Sequence, residues 1–461
     1  MYQKKYHLHF VGIGGIGMSG IAELLINLGY EVSGSDLVSS NITTRLASLG
    51  ARVYEGHLSD HIDGADVVVI SSAVRADNPE VVASRASAVP VIPRAEMLAE
   101  LMHLKYGIAV AGAHGKTTTT SIVAEVLNRG ALDPTVVIGG RLNSLGTNAV
   151  LGGGEFIVAE ADESDGSFLH LSPTITVVTN IDAEHLDYYK DMDQIKAVFL
   201  DFINKVPFYG LAVLCLDNEH IQGLIPRIVK RYATYGLTTQ ADCQAKEIVS
   251  EGLRSRFQVL WQKKKLGAVC LNLPGLHNIY NALASVVVGI ELGIGFNMIK
   301  AALEKMQGVQ RRFQLKGDVA GIIFVDDYGH HPTEIRATLD TVRQCWPDRR
   351  IVVIFQPHRY TRTAALFEDF TRAFYRADSL VVLPIYPAGE IPIPGVEGEI
   401  LCEGIKAHGH KDATFKRGVK EVLDHLSHRL DANDVVLTLG AGPVWKIGEE
   451  IIRSIGSGSL R

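Results

Sequence analysis

The stretch that most constrains how this chain can fold runs from Gly107 to Asn128. Gly107-Ile108-Ala109-Val110 is an apolar run of the length of a buried strand, and Ser121 to Asn128 is apolar at helical spacing. Between them lies Ala-Gly-Ala-His-Gly-Lys-Thr-Thr-Thr-Thr, residues 111–120. A glycine loop between a strand and a helix turns backbone N–H groups inward on phosphate oxygens, and the helix N-terminus adds partial positive charge. Lys116 then reaches the terminal phosphates and the Thr117 hydroxyl is placed for Mg²⁺. The pattern is the short Gly-x-x-Gly-Lys-Thr (Gly112, Gly115, Lys116, Thr117), because Val110 stands where the longer form has a further glycine. A nucleoside-triphosphate site is expected here, with Ala113, His114 and Thr118 completing the loop.

A second glycine loop lies near the N-terminus. Tyr6 to Val11 reads as a strand, Gly12-Ile13-Gly14-Gly15-Ile16-Gly17 follows it, and an amphipathic helix runs to about Gly29. Glu31 to Ser35 is the next strand, and Asp36 at its end falls about 20 residues after the loop, where an acid contacts a ribose hydroxyl. Taken alone, this suggests a dinucleotide. The loop accounts for a diphosphate on the helix N-terminus and leaves open which nucleotide carries it. Further strands are expected at Arg52 to Tyr54, Val67 to Ser71 and Val89 to Ile92. A dehydrogenase needs no triphosphate loop, whereas an enzyme that acts on a nucleotide-linked substrate with ATP needs both.

The length of 461 residues suits several units, and 47% hydrophobic with 21% charged residues is ordinary for a globular enzyme. A net charge of -6 and a pI near 6.3 argue against nucleic acid or an anionic membrane as partner. The only basic run, Lys263 to Lys265, sits between two strand-like stretches and reads as a solvated hairpin turn. Five cysteines without close pairing read as buried thiols of a reducing compartment. Glycines and Glu23 interrupt the apolar N-terminal stretch and no long apolar run follows, so a cytoplasmic location without membrane insertion is expected.

Downstream, the strand Phe156 to Ala159 delivers Glu160-Ala161-Asp162-Glu163-Ser164-Asp165, and the strand Ile175 to Thr179 delivers Asn180-Ile181-Asp182-Ala183-Glu184-His185-Leu186-Asp187. Carboxylates at carboxyl ends of strands can hold Mg²⁺ opposite Thr117. Gly275-Leu276-His277-Asn278-Ile279-Tyr280-Asn281 opens a helix through Leu292, in which Asn278 is either an N-cap or a binding residue. Beyond residue 308, strands at Gly321 to Val325, Ile351 to Phe355, Leu380 to Leu383 and Val435 to Leu439 are expected. The first two end in Asp326-Asp327-Tyr328-Gly329-His330-His331-Pro332 and Gln356-Pro357-His358-Arg359-Tyr360-Thr361-Arg362. Histidines and arginines gathered at strand ends suit an anion. Pro384 to Glu390 is a lid or a rigid connection.

Taken in order, Gly-x-x-Gly-Lys-Thr, Glu-Ala-Asp-Glu-Ser-Asp, Asn-Ile-Asp-Ala-Glu-His-Leu-Asp and Gly-x-His-Asn-x-x-Asn resemble the Mur ligases, ATP-dependent amide-forming enzymes of peptidoglycan precursor synthesis. The resemblance covers nearly the whole chain. It implies an α/β protein of three units: a Rossmann-like sugar-nucleotide unit (residues 1–103), a P-loop ATP unit with a mostly parallel sheet (104–308) and a Rossmann-like amino-acid unit (309–461). It implies Gly14, Gly15, Ile16, Gly17, Asp36 and Ser71 for the UDP-sugar, and Asn278, Asn281, Arg312 and Asp327 beside the loop for ATP. Thr117, Glu160 and His185 are implied as metal-side residues, and Tyr328, His330, His358, Arg359 and Arg362 for the amino acid. Lys116, His330 and Arg359 are the implied catalytic groups, and either His330 or no dedicated base takes the proton from the amine. Most relatives carry a lysine, carbamylated into an extra metal-side carboxylate, where this chain has Phe199. No carbamate is therefore expected.

Within the family, Asp-Asp-Tyr-Gly-His-His-Pro-Thr-Glu, Phe-Gln-Pro-His-Arg-Tyr-Thr-Arg-Thr and Gly-Ala-Gly-Pro-Val-Trp-Lys are most similar to the branch that adds L-alanine to UDP-N-acetylmuramate. A recycling branch that adds a preformed tripeptide to the same sugar nucleotide shares the His-His-Pro segment but differs where this chain reads His-Arg-Tyr-Thr-Arg-Thr and Gly-Ala-Gly-Pro-Val-Trp. An NAD-dependent oxidoreductase would explain residues 12–36 and leave the second loop and both acidic clusters idle. An ATP-gated binding protein would need the loop but not Glu160, His185 or the His/Arg pocket.

Overall fold

The structure, a computed structural model, describes residues 6–71, 73–138, 149–186 and 188–457, with the side chain of Ile16 outside that set. Three α/β sheets follow one another along the chain. The first has five parallel strands in the order Arg52–Glu55, Glu31–Asp36, His7–Val11, Val67–Ile70, Val91–Pro93. Strand order reverses between His7–Val11 and Val67–Ile70, so a crevice opens over the carboxyl ends of these two strands. The glycine loop turns back across the neighbouring strand, with Gly12 and Ile13 N–H both donating to Ser35 O at 2.8 and 2.9 Å. A Cβ on Gly34 would lie 2.6 Å from Phe10 O and 2.7 Å from Ile13 Cδ1, so close approach demands glycine there.

The second sheet has ten strands. Its parallel centre runs Tyr232–Gly236, Leu211–Cys215, Ile175–Val178, Tyr106–Ala111, Phe156–Glu160, Thr135–Val137. Strand Cys243–Glu251 and the antiparallel hairpin of Arg254–Trp261 with Lys264–Leu271 extend one edge. The hairpin turns on Gln262 and Lys263 alone, both at positive φ, as a two-residue turn requires. Lys264 and Lys265 therefore belong to the strand, which corrects the expectation of a turn over all three lysines.

The third sheet has six strands in the order Gln314–Val319, Ile322–Asp327, Asp434–Leu439, Arg350–Phe355, Ser379–Val382, Ala413–Phe415, parallel except for the first. Alternate residues of its strands feed two cores: Val325, Val353 and Leu437 on one face, Phe324, Val352 and Val436 on the other. The first two sheets instead share one continuous core, because helix Ile16–Asn27 packs against Thr135–Val137 and Ala149–Val150.

The segment after Leu383 is tied to the end of the neighbouring strand Arg350–Phe355 by hydrogen bonds. Tyr386 N–H donates to Pro357 O, Arg359 N–H donates to Tyr386 O, and Glu390 accepts from both the N–H and hydroxyl of Thr361. All five cysteines are free, but Cys270 and Cys345 are only half-buried, so the expectation of five buried thiols holds for Cys215, Cys243 and Cys402. No helix among the described residues is long and apolar enough to cross a membrane.

Candidate active site

The phosphate loop joins strand Tyr106–Ala111 to helix Lys116–Arg129. Gly112 (φ 131°) and Gly115 (φ 82°) take backbone conformations that L side chains rarely adopt. The next strand end clamps the loop: Ala113 N–H donates to Asn180 O, His114 N–H to Asn180 Oδ1 at 2.9 Å, and Thr179 Oγ1 to His114 O at 2.6 Å. Lys116 folds back over its own loop, its Nζ 2.6 Å from Gly112 O and 2.7 Å from Glu163 Oε1. Burial opposes its charge, but Glu163 outweighs burial and holds the ammonium firmly protonated.

On the far side of the loop lies a cavity of about 420 Å³ walled by His114, Gly115, Thr118, Asn278, Asn281, Arg312 and Asp327. The two asparagines tie the cavity floor to the loop helix. Thr119 Oγ1 donates to Asn281 Oδ1, Asn281 Nδ2 to Asn278 Oδ1, and Asn278 Nδ2 to Pro274 O at 2.7 Å. Asn278 is thus no N-cap; Gly275 holds that position with no side-chain bond. Burial raises the Asp327 carboxyl to about 6 against the pull of Arg312.

The middle and third units meet at this loop. His114 Nε2 lies 2.9 Å from Asp182 Oδ2 and its Nδ1 lies 3.4 Å from Glu334 Oε1, while Thr333 Oγ1 donates to Asp182 at 2.9 Å. Burial would deprotonate this imidazole, but the hydrogen bond to Asp182 and the nearby Glu334 carboxylate raise it to about 10. His114 is therefore an imidazolium bridging two carboxylates from different units.

Thr117 is buried at the start of the loop helix, and Glu160 ends strand Phe156–Glu160 within electrostatic range of Arg312. His185 sits at φ 57°, a strained conformation for a non-glycine residue, and presents Nε2 3.7 Å from Glu163 Oε1 and 3.6 Å from Glu184 Oε2. Glu163 and Glu184 are nearly fully buried, and Glu163 Oε2 and Glu184 Oε1 have no hydrogen-bond partner. Burial pushes Glu163 up to about 7 despite Lys116. Orphaned carboxylate oxygens beside a histidine fit a hard divalent cation. Phe199 is buried in an aromatic core, edge-on to Phe168 at 5.4 Å, and offers no ligand atom.

Glu184 also faces the third unit, with Arg362 Nε at 3.7 Å and His330 Nε2 at 3.9 Å from its Oε1. His330 lies edge-on to Tyr328 and tilted against His358 (ring centroids at 5.4 and 5.7 Å), and Arg362 Nη1 donates to His358 O at 3.2 Å. Burial, reinforced by Arg362, lowers His330 to about 4, and burial with His330 and Arg362 lowers His358 to about 3. Both imidazoles are neutral. A second cavity of about 460 Å³ lies against Glu184, His185, Arg359 and Arg362, with Arg359 held at φ 69°.

In the first unit, Gly14 N–H donates to Asp36 Oδ2 at 2.9 Å, so this acid is engaged with the glycine loop itself. Gly15 caps the helix N-terminus, Gly17 packs under the Arg94 side chain, and Ser71 follows strand Val67–Ile70 across the crevice. Ser72, Asp187 and the side chain of Ile16 lie outside the described residues. The structure thus gathers the Gly112–Thr118 set with Asn278, Asn281, Arg312 and Asp327, and gathers His185 with the His/Arg group, while the first glycine loop stands apart on its own sheet. Sequence reasoning named Glu163, Asp182 and Glu184 only collectively, among carboxylates able to hold Mg²⁺, and assigned no role to Arg94 or Glu334. The three in the middle unit lie inside the quoted acidic motifs, and Glu334 is the capping-box acid of helix Pro332–Cys345. Arg94 carries no such signal.

A phosphate loop walled by carboxylates, facing a cationic pocket on a third sheet and joined to a separate nucleotide-type crevice, defines a multi-unit nucleotide-dependent enzyme. Family models agree in the same order: "Mur ligase family, catalytic domain" matches residues 7–106, "Mur ligase middle domain" 110–289, and "Mur ligase, glutamate ligase domain" 311–442. The chain belongs to the Mur ligase family. It is 64% identical to the UDP-N-acetylmuramate--L-alanine ligase of Desulfatibacillum aliphaticivorans, over 98% of this chain and all of that one. Among solved structures it is similar to the UDP-N-acetylmuramate-alanine ligase MurC of Thermotoga maritima (TM-score 0.83, 31% identity, 98% of this chain and 100% of that one). It is also similar to a murein peptide ligase of Psychrobacter arcticus (TM-score 0.72, 25% identity, 98% and 99%).

Proposed function

We propose that this enzyme joins L-alanine to the lactyl carboxylate of UDP-N-acetylmuramate in an ATP-dependent reaction of peptidoglycan precursor synthesis. The observation that carries this reading is end-to-end identity of 64% to a relative of that name, with 62% and 59% to two others. Nucleotide and amino-acid substrates support a cytoplasmic location.

A carboxylate is a poor electrophile, so the lactyl carboxylate first takes the γ-phosphoryl group of ATP, leaving an acyl phosphate and ADP. Charge in that transfer spreads over oxygens, and positioned cations and N–H groups do most of the work. Lys116 and the N–H groups of Gly112 to Thr118 form the clamp, and the cavity beside Asn278, Asn281, Arg312 and Asp327 takes the nucleoside. Thr117 and Glu160 would hold one Mg²⁺ and His185 would help hold a second, and such ions would supply neutralisation of phosphate charge. Gly14, Gly15, Ile16 and Gly17, with Asp36 and Ser71, receive the UDP moiety over the first sheet. Arg359, Arg362 and His358 receive the alanine carboxylate, a task suited to the planar guanidinium fork, and Tyr328 closes the pocket. The amine attacks the acyl carbon and the tetrahedral intermediate expels phosphate. The amine's proton goes either to His330, a weak base because burial lowers it to about 4, or to no dedicated base.

The test is phosphate release from ATP in the presence of UDP-N-acetylmuramate with L-alanine, with tripeptide, or with no amine. Release that requires L-alanine and vanishes in Lys116→Ala is the expected result. Release driven only by the tripeptide would instead make this chain a recycling ligase.

A further inference from the structure

Residues 383–397 join strand Ser379–Val382 to helix Gly398–Ala407, and this loop grips the segment that carries the two pocket arginines. Arg359 sits at φ 69°, a conformation that an arginine keeps only where its surroundings impose it. Both of its backbone groups are engaged. Its N–H donates to Tyr386 O at 2.9 Å, and its carbonyl accepts from Thr363 N–H at 3.2 Å and from Thr363 Oγ1 at 2.8 Å. The ring of the preceding His358 stacks on Tyr386, with centroids 5.5 Å apart and planes inclined by 18°. Between the two arginines, Thr361 gives both of its donors to one carboxylate: its N–H lies 3.1 Å from Glu390 Oε2 and its hydroxyl 2.6 Å from Glu390 Oε1. Glu390 reaches back to this point because the loop reverses on Ala388 (φ 49°) and Gly389 (φ 88°), a turn closed by Glu390 N–H on Pro387 O at 2.9 Å.

We propose that Glu390 is a positioning residue of the amino-acid pocket: through Thr361 it fixes the backbone between Arg359 and Arg362, so that both guanidinium groups meet the substrate carboxylate together. Long side chains lose much rotamer freedom when they converge on one anion, and a backbone held beforehand leaves less to be lost on binding. Thr361 N–H belongs to the first turn of helix Tyr360–Ala365, where no intrahelical acceptor exists for it. A carboxylate meets this N–H and the neighbouring hydroxyl at once, one oxygen for each. Glutamine in its place would turn an amide NH₂, itself a donor, toward one of them. Glu390 is not one of the described residues lining the second cavity, whereas Thr361 lines it together with Arg359 and Arg362, so the effect passes through Thr361. This role rests on the ligase reading, in which the two arginines receive the alanine carboxylate.

The test is steady-state kinetics of the full chain with ATP, UDP-N-acetylmuramate and L-alanine varied in turn. Glu390→Gln should raise KM for L-alanine about tenfold and leave kcat and the other two KM values within about twofold. Thr361→Val, which removes the hydroxyl, should act in the same direction, and Thr361→Ser, which keeps it, should stay near the wild type. Glu390→Gln combined with Thr361→Val should raise KM for L-alanine no further than the worse single change, because both break one contact. Ile391→Ala, on the same loop and 85% exposed, should change nothing. An unchanged KM for L-alanine in Glu390→Gln and Thr361→Val, or a common shift of all three KM values, would overturn the assignment and leave the ligase reading standing. A wild type that releases no phosphate with L-alanine would overturn both.

Discussion

Arg94 of the first unit reaches Asp162 of the middle unit, with Nη2 3.1 Å from Oδ2, while its stem lies against Gly17, where a Cβ would meet Arg94 Cδ at 3.2 Å. One guanidinium therefore touches both the glycine loop of the first crevice and the acidic loop that follows Glu160. Burial opposes ionisation of Asp162, but Arg94 and then Lys116 outweigh it and hold the carboxylate charged. Arg94→Ala should raise KM for UDP-N-acetylmuramate about tenfold, the size of a lost charge-assisted hydrogen bond. KM for L-alanine should stay within about twofold by the same arithmetic. Steady-state kinetics with each substrate varied in turn decides this.

Glycine at position 112 is required by both conformation and space. A Cβ there would fall 2.2 Å from Thr179 Oγ1 at a φ of 131°. Gly112→Ala should cost roughly 2–4 kcal/mol of stability, combining strain and overpacking, and abolish ATP binding measured by calorimetry. Gly29 also has positive φ but nothing within 4 Å, so Gly29→Ala should cost only about 1 kcal/mol and leave ATP binding intact.

The His114 bridge has a definite pH signature. Its folded value, about 10, lies above the ordinary histidine value of 6.5, so its contribution is fully present below about pH 6.5 and is lost as pH rises towards 10. Stability to urea should fall over that window, and His114→Gln should flatten this part of the profile. Thr333→Val, which removes only the hydroxyl bond to Asp182, should leave the window in place.

Arg359→Lys and Arg362→Lys test the amino-acid pocket. Lysine keeps the charge and loses the bidentate fork, so KM for L-alanine should rise about 10- to 100-fold, corresponding to roughly 1.4–2.7 kcal/mol. ATP affinity should stay unchanged, because neither residue borders the nucleotide cavity. Comparable loss of ATP binding in either variant would show that the pocket does not act on the amino acid alone.

Much of this protein was legible in its residues. Apolar runs located the strands of the first sheet, four of the third, and Tyr106–Ala111, Phe156–Glu160 and Ile175–Val178 of the second to within a residue or two, since a fully buried parallel strand must be apolar on both faces. The buried strand Leu211–Cys215 was not among them. The edge strands, such as Gln314–Val319 and Lys264–Leu271, were harder, because one face meets water and the apolar pattern thins. Motif order also located the phosphate loop, the asparagine pair and the His/Arg strand ends, each of which is local in sequence.

What the chain determined by itself was therefore local chemistry: which strand ends carry glycine, carboxylate, histidine or arginine, and which helices open on a phosphate-binding turn. Tertiary structure decided the partnerships. Lys116 and Glu163 are 47 residues apart and meet only because the strands preceding them are neighbours in register. The loop beyond a strand has no side-chain period, so nothing in Glu-Ala-Asp-Glu-Ser-Asp says which carboxylate will face the lysine. His114 meets Glu334, and Arg94 meets Asp162, across units whose docking depends on surfaces far from either residue. Charge pairing at such junctions is set by the relative placement of whole sheets, and that placement is the sum of many packing contacts that no short sequence window contains.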